Sequence, residues 1–148
     1  MNVLTRPMTQ QDYGAARVLY QALSTGKTLP SYEAGIAGFA RLIAHPGTWV
    51  MGVEENGALL GMATLHVLPN MTYNMRPYAV VENVATHADH QGRGLGRVIM
   101  DAVAQKAWSE GAFKIMLLTN QSRGARAFYE KLGYVADEKH GMVLRSPD

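Results

Sequence analysis

The sequence predicts an α+β fold in which a central mixed sheet, mostly antiparallel, is flanked by about four helices. Apolar residues recur at helical spacing in two segments before Pro46. Two β-rich stretches, 49–53 and 58–67, then meet near Asn56-Gly57, which is the strongest short signal for a hairpin. A strand, a glycine-rich loop and a helix follow one another between residues 78 and 111. This order excludes a regularly alternating, doubly wound fold.

The first elements are a short strand and two helices. Residues 2–6 predict the strand, and Thr9 with Asp12 forms a capping-box pattern ahead of the first helix. Ser31 is a cap for the second helix, which Pro46-Gly47 ends. The apolar positions that share one helical face are Tyr13, Ala16, Leu19, Tyr20 and Leu23 in the first helix, and Tyr32, Ile36, Phe39 and Ile43 in the second.

A long loop follows the hairpin. It covers residues 68–77, contains two prolines and two asparagines, and has a useful length for shaping a site. Residues 78–87 then predict a strand. The apolar stripe that begins at Leu95 predicts a helix that closes at Gly111.

The last part of the chain predicts two further strand regions around one helix. The nearly continuous apolar run 113–118 is typical of a strand covered on both faces. Ser122 is the expected cap of a helix that ends at Gly133. Residues 134–136 and 142–145 predict a final strand pair.

Length and composition indicate one globular domain spanning residues 1–148. The chain has 148 residues, of which 47% are hydrophobic and 18% charged, far from the composition of disordered proteins. Cysteine is absent, which excludes disulfides, thiolate metal sites and a cysteine nucleophile. Catalysis would therefore use other groups.

Charge and hydropathy limit the classes of partner that the sequence leads us to expect. The formal net charge of +2 comes without a dense basic block, so no nucleic acid is expected. No apolar run approaches the roughly 20 residues that span a bilayer, and the N-terminal residues lack a signal-peptide pattern, so we expect no membrane association and a cytoplasmic location. His87 and His90 lack acidic partners at metal-binding spacing, and no metal is expected.

The glycine-rich loop Gln91 to Gly96 carries the functional signal. A loop that enters a helix N-terminus exposes unpaired backbone N–H groups and the positive end of the helix dipole, which suits a phosphate; the alternative is a tight turn without a ligand. Gly92, Gly94 and Gly96 are spaced by two, unlike the dinucleotide fingerprint, and no phosphate-binding loop for ATP or GTP is present. These residues favour another phosphate-bearing ligand.

Two motifs resemble a known family. Residues 82–87 (Glu-Asn-Val-Ala-Thr-His) followed by 91–96 (Gln-Gly-Arg-Gly-Leu-Gly) resemble the central motif of the GNAT superfamily of acyl-CoA-dependent N-acyltransferases, whose loop reads Gln/Arg-x-x-Gly-x-Gly/Ala. Residues 127–134 are similar to the family's A-x-x-Y-x-x-x-G-[FY] stretch. The resemblance implies an N-acetyltransferase that moves the acetyl group of acetyl-CoA directly to a primary amine, and a homodimer.

The resemblance also implies catalytic roles. The backbone of residues 84–86 would bind pantetheine and the acetyl carbonyl, and Glu82 would be the general base, through a water. Glu82 precedes Val84 by two and is expected on the same side of the strand. Tyr129 falls at the family tyrosine that protonates the thiolate. The alternatives are a surface carboxylate or structural salt bridge for Glu82 and core packing for Tyr129.

The remaining candidate residues concern binding. The family's usual asparagine falls nearest Ser122, so a serine replaces it here, and a helix cap is the alternative role. The acceptor is expected to be a small molecule, an anionic one among the possibilities, at a site shaped by the first two helices and the loop 69–77, with Tyr73, Arg76 and Tyr78 as contacts. A protein N-terminus or lysine is the alternative acceptor. A non-catalytic module that binds acyl-CoA is the alternative function. The predicted cofactor contacts are Val84, Ala85, Thr86, Gln91, Gly92, Arg93, Gly94, Leu95, Gly96, Arg97, Asn120, Ser122 and Tyr129.

Overall fold

The computed structural model describes residues 2–24, 29–121 and 124–148. These residues fall into two compact units, Met1–Met116 and Leu117–Asp148, and each is considered by itself. The prediction of a single domain over residues 1–148 stays a prediction.

In the part of the chain that the structure describes, the sheet contains five strands in the order β1-β2-β3-β4-β5. β1 pairs with β2, β2 with β3 and β3 with β4, all antiparallel. β5 follows β4 after an intervening helix, the connection that a parallel neighbour requires, so the sheet is mixed as predicted. The strands are β1 Leu4–Pro7, β2 Thr48–Glu55, β3 Ala58–Leu68, β4 Tyr78–Thr86 and β5 Ile115–Leu117.

Within the described residues, five helical segments accompany the sheet, and two short 3-10 turns lie at Gln10–Asp12 and Ala88–His90. One of the segments, α3, is a single turn in which Tyr73 and Asn74 have left-handed backbone. The other segments are regular helices, as the sequence predicted. The segments are α1 Tyr13–Ser24, α2 Tyr32–Ala44, α3 Thr72–Met75, α4 Leu95–Ser109 and α5 Arg126–Lys131.

The predicted caps of the first two helices and the hairpin turn are confirmed, whereas the predicted Ser122 cap lies outside the described residues. The Asp12 carboxylate accepts a hydrogen bond from the Thr9 backbone N–H at 2.7 Å, and the Ser31 hydroxyl accepts one from the Ala34 N–H at 3.3 Å. Asn56 and Gly57, with φ of 52° and 82°, form the left-handed pair that a two-residue hairpin needs. Each of these local signals fixes where an element starts or reverses.

The two faces of the sheet are covered by different helices. Tyr13 and Phe39 from α1 and α2 pack with Val50 and Met62 of the sheet, whereas Ile99 of α4 packs on the other face. Glycines allow the closest approaches. A Cβ at Gly35 would lie 1.7 Å from the Tyr13 hydroxyl oxygen, and one at Gly61 would lie 2.5 Å from Ile99 Cδ1. The helices therefore pack almost directly on backbone at these points.

Two predictions about the end of the chain are wrong. Residues 134–136 and 142–145 form no strands, and Leu144 is 99% exposed, so their β-prone side chains have no sheet surface to pack on. β5 is shorter than the predicted 113–118, and it is not covered on both faces because Met116 is exposed.

Candidate functional site

A β-bulge interrupts strand β4 at Asn83. Glu82 pairs with Thr64 of β3 and Ala85 pairs with Met62, so two residues of β4 stand opposite the single Ala63. Asn83 takes up the extra length with a left-handed φ of 54°, a conformation that asparagine tolerates better than most residues. The bulge leaves Glu82 and Asn83 both exposed at consecutive positions.

The bulge changes the face to which Glu82 belongs. Because Thr64 and Met62 lie on one side of β3, their partners Glu82 and Ala85 share that side, which α1 and α2 cover. Val84 consequently belongs to the opposite side. The expectation that Glu82 and Val84 point the same way is wrong, since it assumed an unbroken alternation along the strand.

Two hydroxyl side chains, of Thr64 and Tyr20, lie on the side of the sheet to which Glu82 belongs. Thr64, opposite Glu82, is 1% exposed, and its hydroxyl interacts with the Tyr20 hydroxyl on α1. Burial raises the pKa of Tyr20, while the Thr64 hydroxyl lowers it to a smaller extent. The α1 side of β4 therefore offers an exposed carboxylate beside two neutral polar groups.

The glycine-rich loop has the shape of an anion site. Gly92 and Gly94 have φ of 75° and 81°, and Gly94 is the N-cap of α4. Gly94 makes no side-chain cap hydrogen bond to the first-turn N–H groups, which by helix geometry point out of the N-terminal end of α4. The buried Leu95 anchors the start of the helix, whereas Gln91 to Gly94 are exposed.

The charged side chains of this loop bind neighbouring protein groups. Arg93 Nη2 donates to both carboxylate oxygens of Glu55 at 2.9 and 3.0 Å, and Arg93 Nη1 lies 2.8 Å from His90 Nδ1. Arg97 lies on the exposed side of α4, 3.8 Å from Asp101. The structure thus joins Arg93 to the end of β2, a contact that no spacing in the sequence signals.

His87 and His90, beside the loop, make contacts with neighbouring protein groups. His87 Nδ1 accepts from the Asp89 backbone N–H at 3.2 Å and so caps the short turn after β4, and the His87 N–H donates to Leu60 O at 2.7 Å. The rings of His87 and His90 are 5.3 Å apart. Across residues 2–24, 29–121 and 124–148, no three metal-ligating side chains cluster.

The second unit holds the tyrosine candidate. Tyr129 lies on α5 and is half-buried; its ring meets Phe128 and Tyr134 edge-on at 5.0 and 5.8 Å. Burial raises the pKa of Tyr129, so its hydroxyl holds its proton at neutral pH. Asn120 is exposed after β5, and Ser122 lies outside the described residues.

The acceptor candidates lie on a strained turn. Tyr73, Asn74 and Met75 are all left-handed, a conformation that costs about 1–2 kcal/mol per residue, and the Asn70 amide and a Tyr73–Phe113 ring stack at 4.1 Å stabilise it. Tyr73 remains 68% exposed. These properties are compatible with a binding role, which stays a prediction.

Arg76 and Tyr78 differ from Tyr73. The Arg76 guanidinium donates to the backbone carbonyls of Gly111 and Ala112 at 3.3 and 3.1 Å, so it stabilises the end of the α4 segment. Tyr78 starts β4 opposite Leu68 and is partly buried. An Arg76 contact to an acceptor would compete with these two carbonyls.

Comparison with known proteins agrees with this arrangement. A glucosamine 6-phosphate N-acetyltransferase from Trypanosoma brucei brucei is 27% identical over 134 residues, covering 90% of each chain. An L-amino acid N-acyltransferase from Escherichia coli (strain K12) is 28% identical over 128 residues, covering 85% of this chain and 72% of its own. The solved structure of a putative acetyltransferase from Agrobacterium tumefaciens str. C58 superposes with a TM-score of 0.89 at 36% identity, covering 97% of this chain and 99% of that one.

No helix in the described ranges is long and apolar enough to cross a membrane.

The family comparison covers both units. The model of the acetyltransferase (GNAT) family matches residues 12–134, which include the β4 bulge, the glycine-rich loop and Tyr129. The chain belongs to the GNAT family of acetyltransferases.

Proposed function

We propose that this protein transfers the acetyl group of acetyl-CoA directly to a primary amine of a small molecule. The observation that carries the proposal is the continuous segment 82–97: an exposed carboxylate at a bulge, then a strand end, then a glycine-capped helix start. The proposed base and the proposed anion site therefore lie within a single short segment of the chain, residues 82–97.

The residues of the loop suit the pyrophosphate of a coenzyme A. A Cβ added at Gly92 would meet no atom within 4 Å, so the backbone there is open to a ligand. The outward first-turn amides of α4 supply neutral donors, and the helix dipole adds to the attraction. We propose that Gln91 to Gly96 hold the pyrophosphate in this way.

The chemistry then requires a base and an acid. When bound, acetyl-CoA supplies an activated thioester carbonyl. Glu82 removes a proton from the acceptor ammonium through a water, and a backbone N–H within residues 84–86 polarises the carbonyl, an effect worth about 3 kcal/mol per donor in comparable sites. Tyr129, whose hydroxyl is protonated at neutral pH, protonates the departing thiolate.

The acceptor class follows from chemistry that two relatives share. Their names specify glucosamine 6-phosphate and an L-amino acid, which are both small primary amines that carry an anionic group. We propose an acceptor of this kind for the present chain, bound on the α1 side of β4 where Glu82 is exposed. We also propose that the enzyme acts as a homodimer in the cytoplasm; light scattering of the purified protein tests the dimer.

Thiol release tests the proposal. Acetyl-CoA is incubated with the protein and a panel of amines that includes glucosamine 6-phosphate, L-amino acids and uncharged amines. We expect thiol release that saturates with at least one anionic amine. Saturable binding of acetyl-CoA without turnover on any amine would instead identify a non-catalytic acyl-CoA-binding module.

A further inference from the structure

Arg93 occupies the centre of the anion-binding loop, yet its guanidinium is directed at the protein. Both short contacts of Nη2 are to the Glu55 carboxylate, and Nη1 is aimed at His90 Nδ1. The Glu55 side chain is only 19% exposed and that of Arg93 38%. Glu55 is the more buried partner of this ion pair, and Arg93 remains exposed like the other residues of 91–94.

The ion pair ties the loop to a rigid element. Glu55 is the last residue of β2, directly before the hairpin turn at Asn56 and Gly57. Arg93 stands between Gly92 and Gly94, which both adopt left-handed φ values. A glycine loses more conformational freedom on ordering than any other residue, so a loop with a glycine on each side of Arg93 needs an anchor to keep one shape.

Electrostatics also argues against direct phosphate binding by this residue. The positive charge of Arg93 is balanced by Glu55 at 2.9 Å, so the pair has no net charge to offer an anion. A contact from Arg93 to a phosphate would either break the pair or bring the Glu55 carboxylate close to the ligand.

We propose that Arg93 is a positioning residue, which with Glu55 holds the loop in the shape that presents the first-turn amides of α4 to the ligand. This differs from the sequence-based expectation of a direct cofactor contact, and it rests on the proposed function for the identity of the ligand. Because the loop is already ordered in the free protein, less conformational entropy is lost when the ligand binds, and the affinity for the ligand is higher.

Equilibrium binding of coenzyme A tests this role without any turnover. Isothermal titration is carried out on the full chain and on Glu55→Ala, Arg93→Ala and the double variant. We expect each single variant to bind about fivefold more weakly, and the double variant no more weakly than the weaker single one. Glu110→Gln, which removes an exposed ion pair with Lys106 at the far end of α4, is the matched control and should bind as the unmodified protein.

A direct phosphate ligand gives a different pattern. Removal of Glu55 would then release Arg93, so Glu55→Ala would bind coenzyme A as tightly as the unmodified protein or more tightly, while Arg93→Ala alone would weaken binding. That result would overturn the positioning role.

Hydrogen exchange separates this proposal from the proposed function. In the absence of ligand, the amides of residues 92–96 should exchange faster in Glu55→Ala than in the unmodified protein, and unchanged exchange would overturn the proposal. If the unmodified protein binds no coenzyme A, the proposed function fails, and the exchange result alone decides whether the pair orders the loop.

Discussion

Glu82 on β4 lies directly opposite Thr64 on β3, on the side of the sheet that α1 covers. One residue later, the bulge at Asn83 reverses the alternation of side chains between the two faces of the sheet. This relationship places the Glu82 carboxylate and the side chain of Val84, the first residue of the segment 84–86, on opposite sides of the sheet. The acceptor amine is therefore expected on the α1 side of β4.

Replacement of Glu82 by glutamine tests its role as the base. A positioned general base contributes about 10²–10⁴-fold to a rate, so Glu82→Gln should lower kcat by that range while binding of coenzyme A stays unchanged. Thiol-release assays measure kcat, and isothermal titration measures the binding of coenzyme A. Glu110→Gln is the control, and a Glu82→Gln variant that turns over normally would leave Glu82 as a surface carboxylate.

Tyr129→Phe tests the acid. The hydroxyl is expected to protonate the thiolate, so its loss should reduce kcat at least tenfold, with coenzyme A affinity little changed, because the phenyl ring retains its packing on Phe128. Equal kcat values for the two proteins would show that Tyr129 only packs.

The raised pKa of Tyr129 has a consequence at alkaline pH. Since burial favours the protonated form in the folded state, the folded chain binds more protons than the unfolded chain above pH 10 or so, and stability falls as the pH rises through the folded-state pKa. Tyr129→Phe should lose less stability than the unmodified protein between pH 9 and about 11 in thermal melts. Parallel curves would contradict burial of the hydroxyl.

Gly94→Ala tests the glycine cap of α4. The left-handed φ of 81° makes any Cβ unfavourable by about 1 kcal/mol, and relief of this strain would turn the first-turn amides away from the ligand. We expect a stability loss of that size together with weaker coenzyme A binding. Gly57→Ala is the control, because φ is 82° and a Cβ meets no atom within 4 Å; it should lose stability alone. Weakened binding in both variants would mean that the effect is global.

Asp12→Asn tests the network that joins β1, the start of α1 and β2. Arg6 donates to Asp12 at 2.8 Å and to Glu54 at 2.9 Å, and the Arg6 hydrogen bond is the main cause that lowers the pKa of Asp12, helped by the Thr9 N–H. The stabilisation is present above pH 4 or so and is lost as the pH falls through the lowered pKa. We expect a loss of about 1 kcal/mol at pH 7 that disappears near pH 2 in urea titrations. A pH-independent difference would contradict this linkage.

Local signals made much of the first unit predictable from the sequence. The Thr9 and Ser31 caps and the Asn56-Gly57 turn depend on neighbouring residues alone, and each appears as predicted. The glycine-rich loop was predictable for the same reason, since the need for left-handed φ at Gly92 and Gly94 is written in the residue type.

Features that depend on distant partners were not predictable. The bulge at Asn83 arises from how β4 pairs with β3, and it places Glu82 and Val84 on opposite faces. Arg93 donates to the Glu55 carboxylate, and Arg76 donates to the carbonyls of Gly111 and Ala112. No sequence spacing indicates either contact. The β-prone residues at 142–145 have exposed side chains and form no strand, because strand propensity requires a surface to pack on.

The fate of the acetyl group tests the central claim most directly. The protein is incubated with acetyl-CoA carrying a ¹³C-labelled acetyl group and each anionic amine of the panel, and the products are examined by NMR and mass spectrometry. We expect an N-acetylated acceptor, with its rate of formation lowered in Glu82→Gln. Label that remains on coenzyme A with every amine, or that is found only on the protein, would contradict direct transfer at this site.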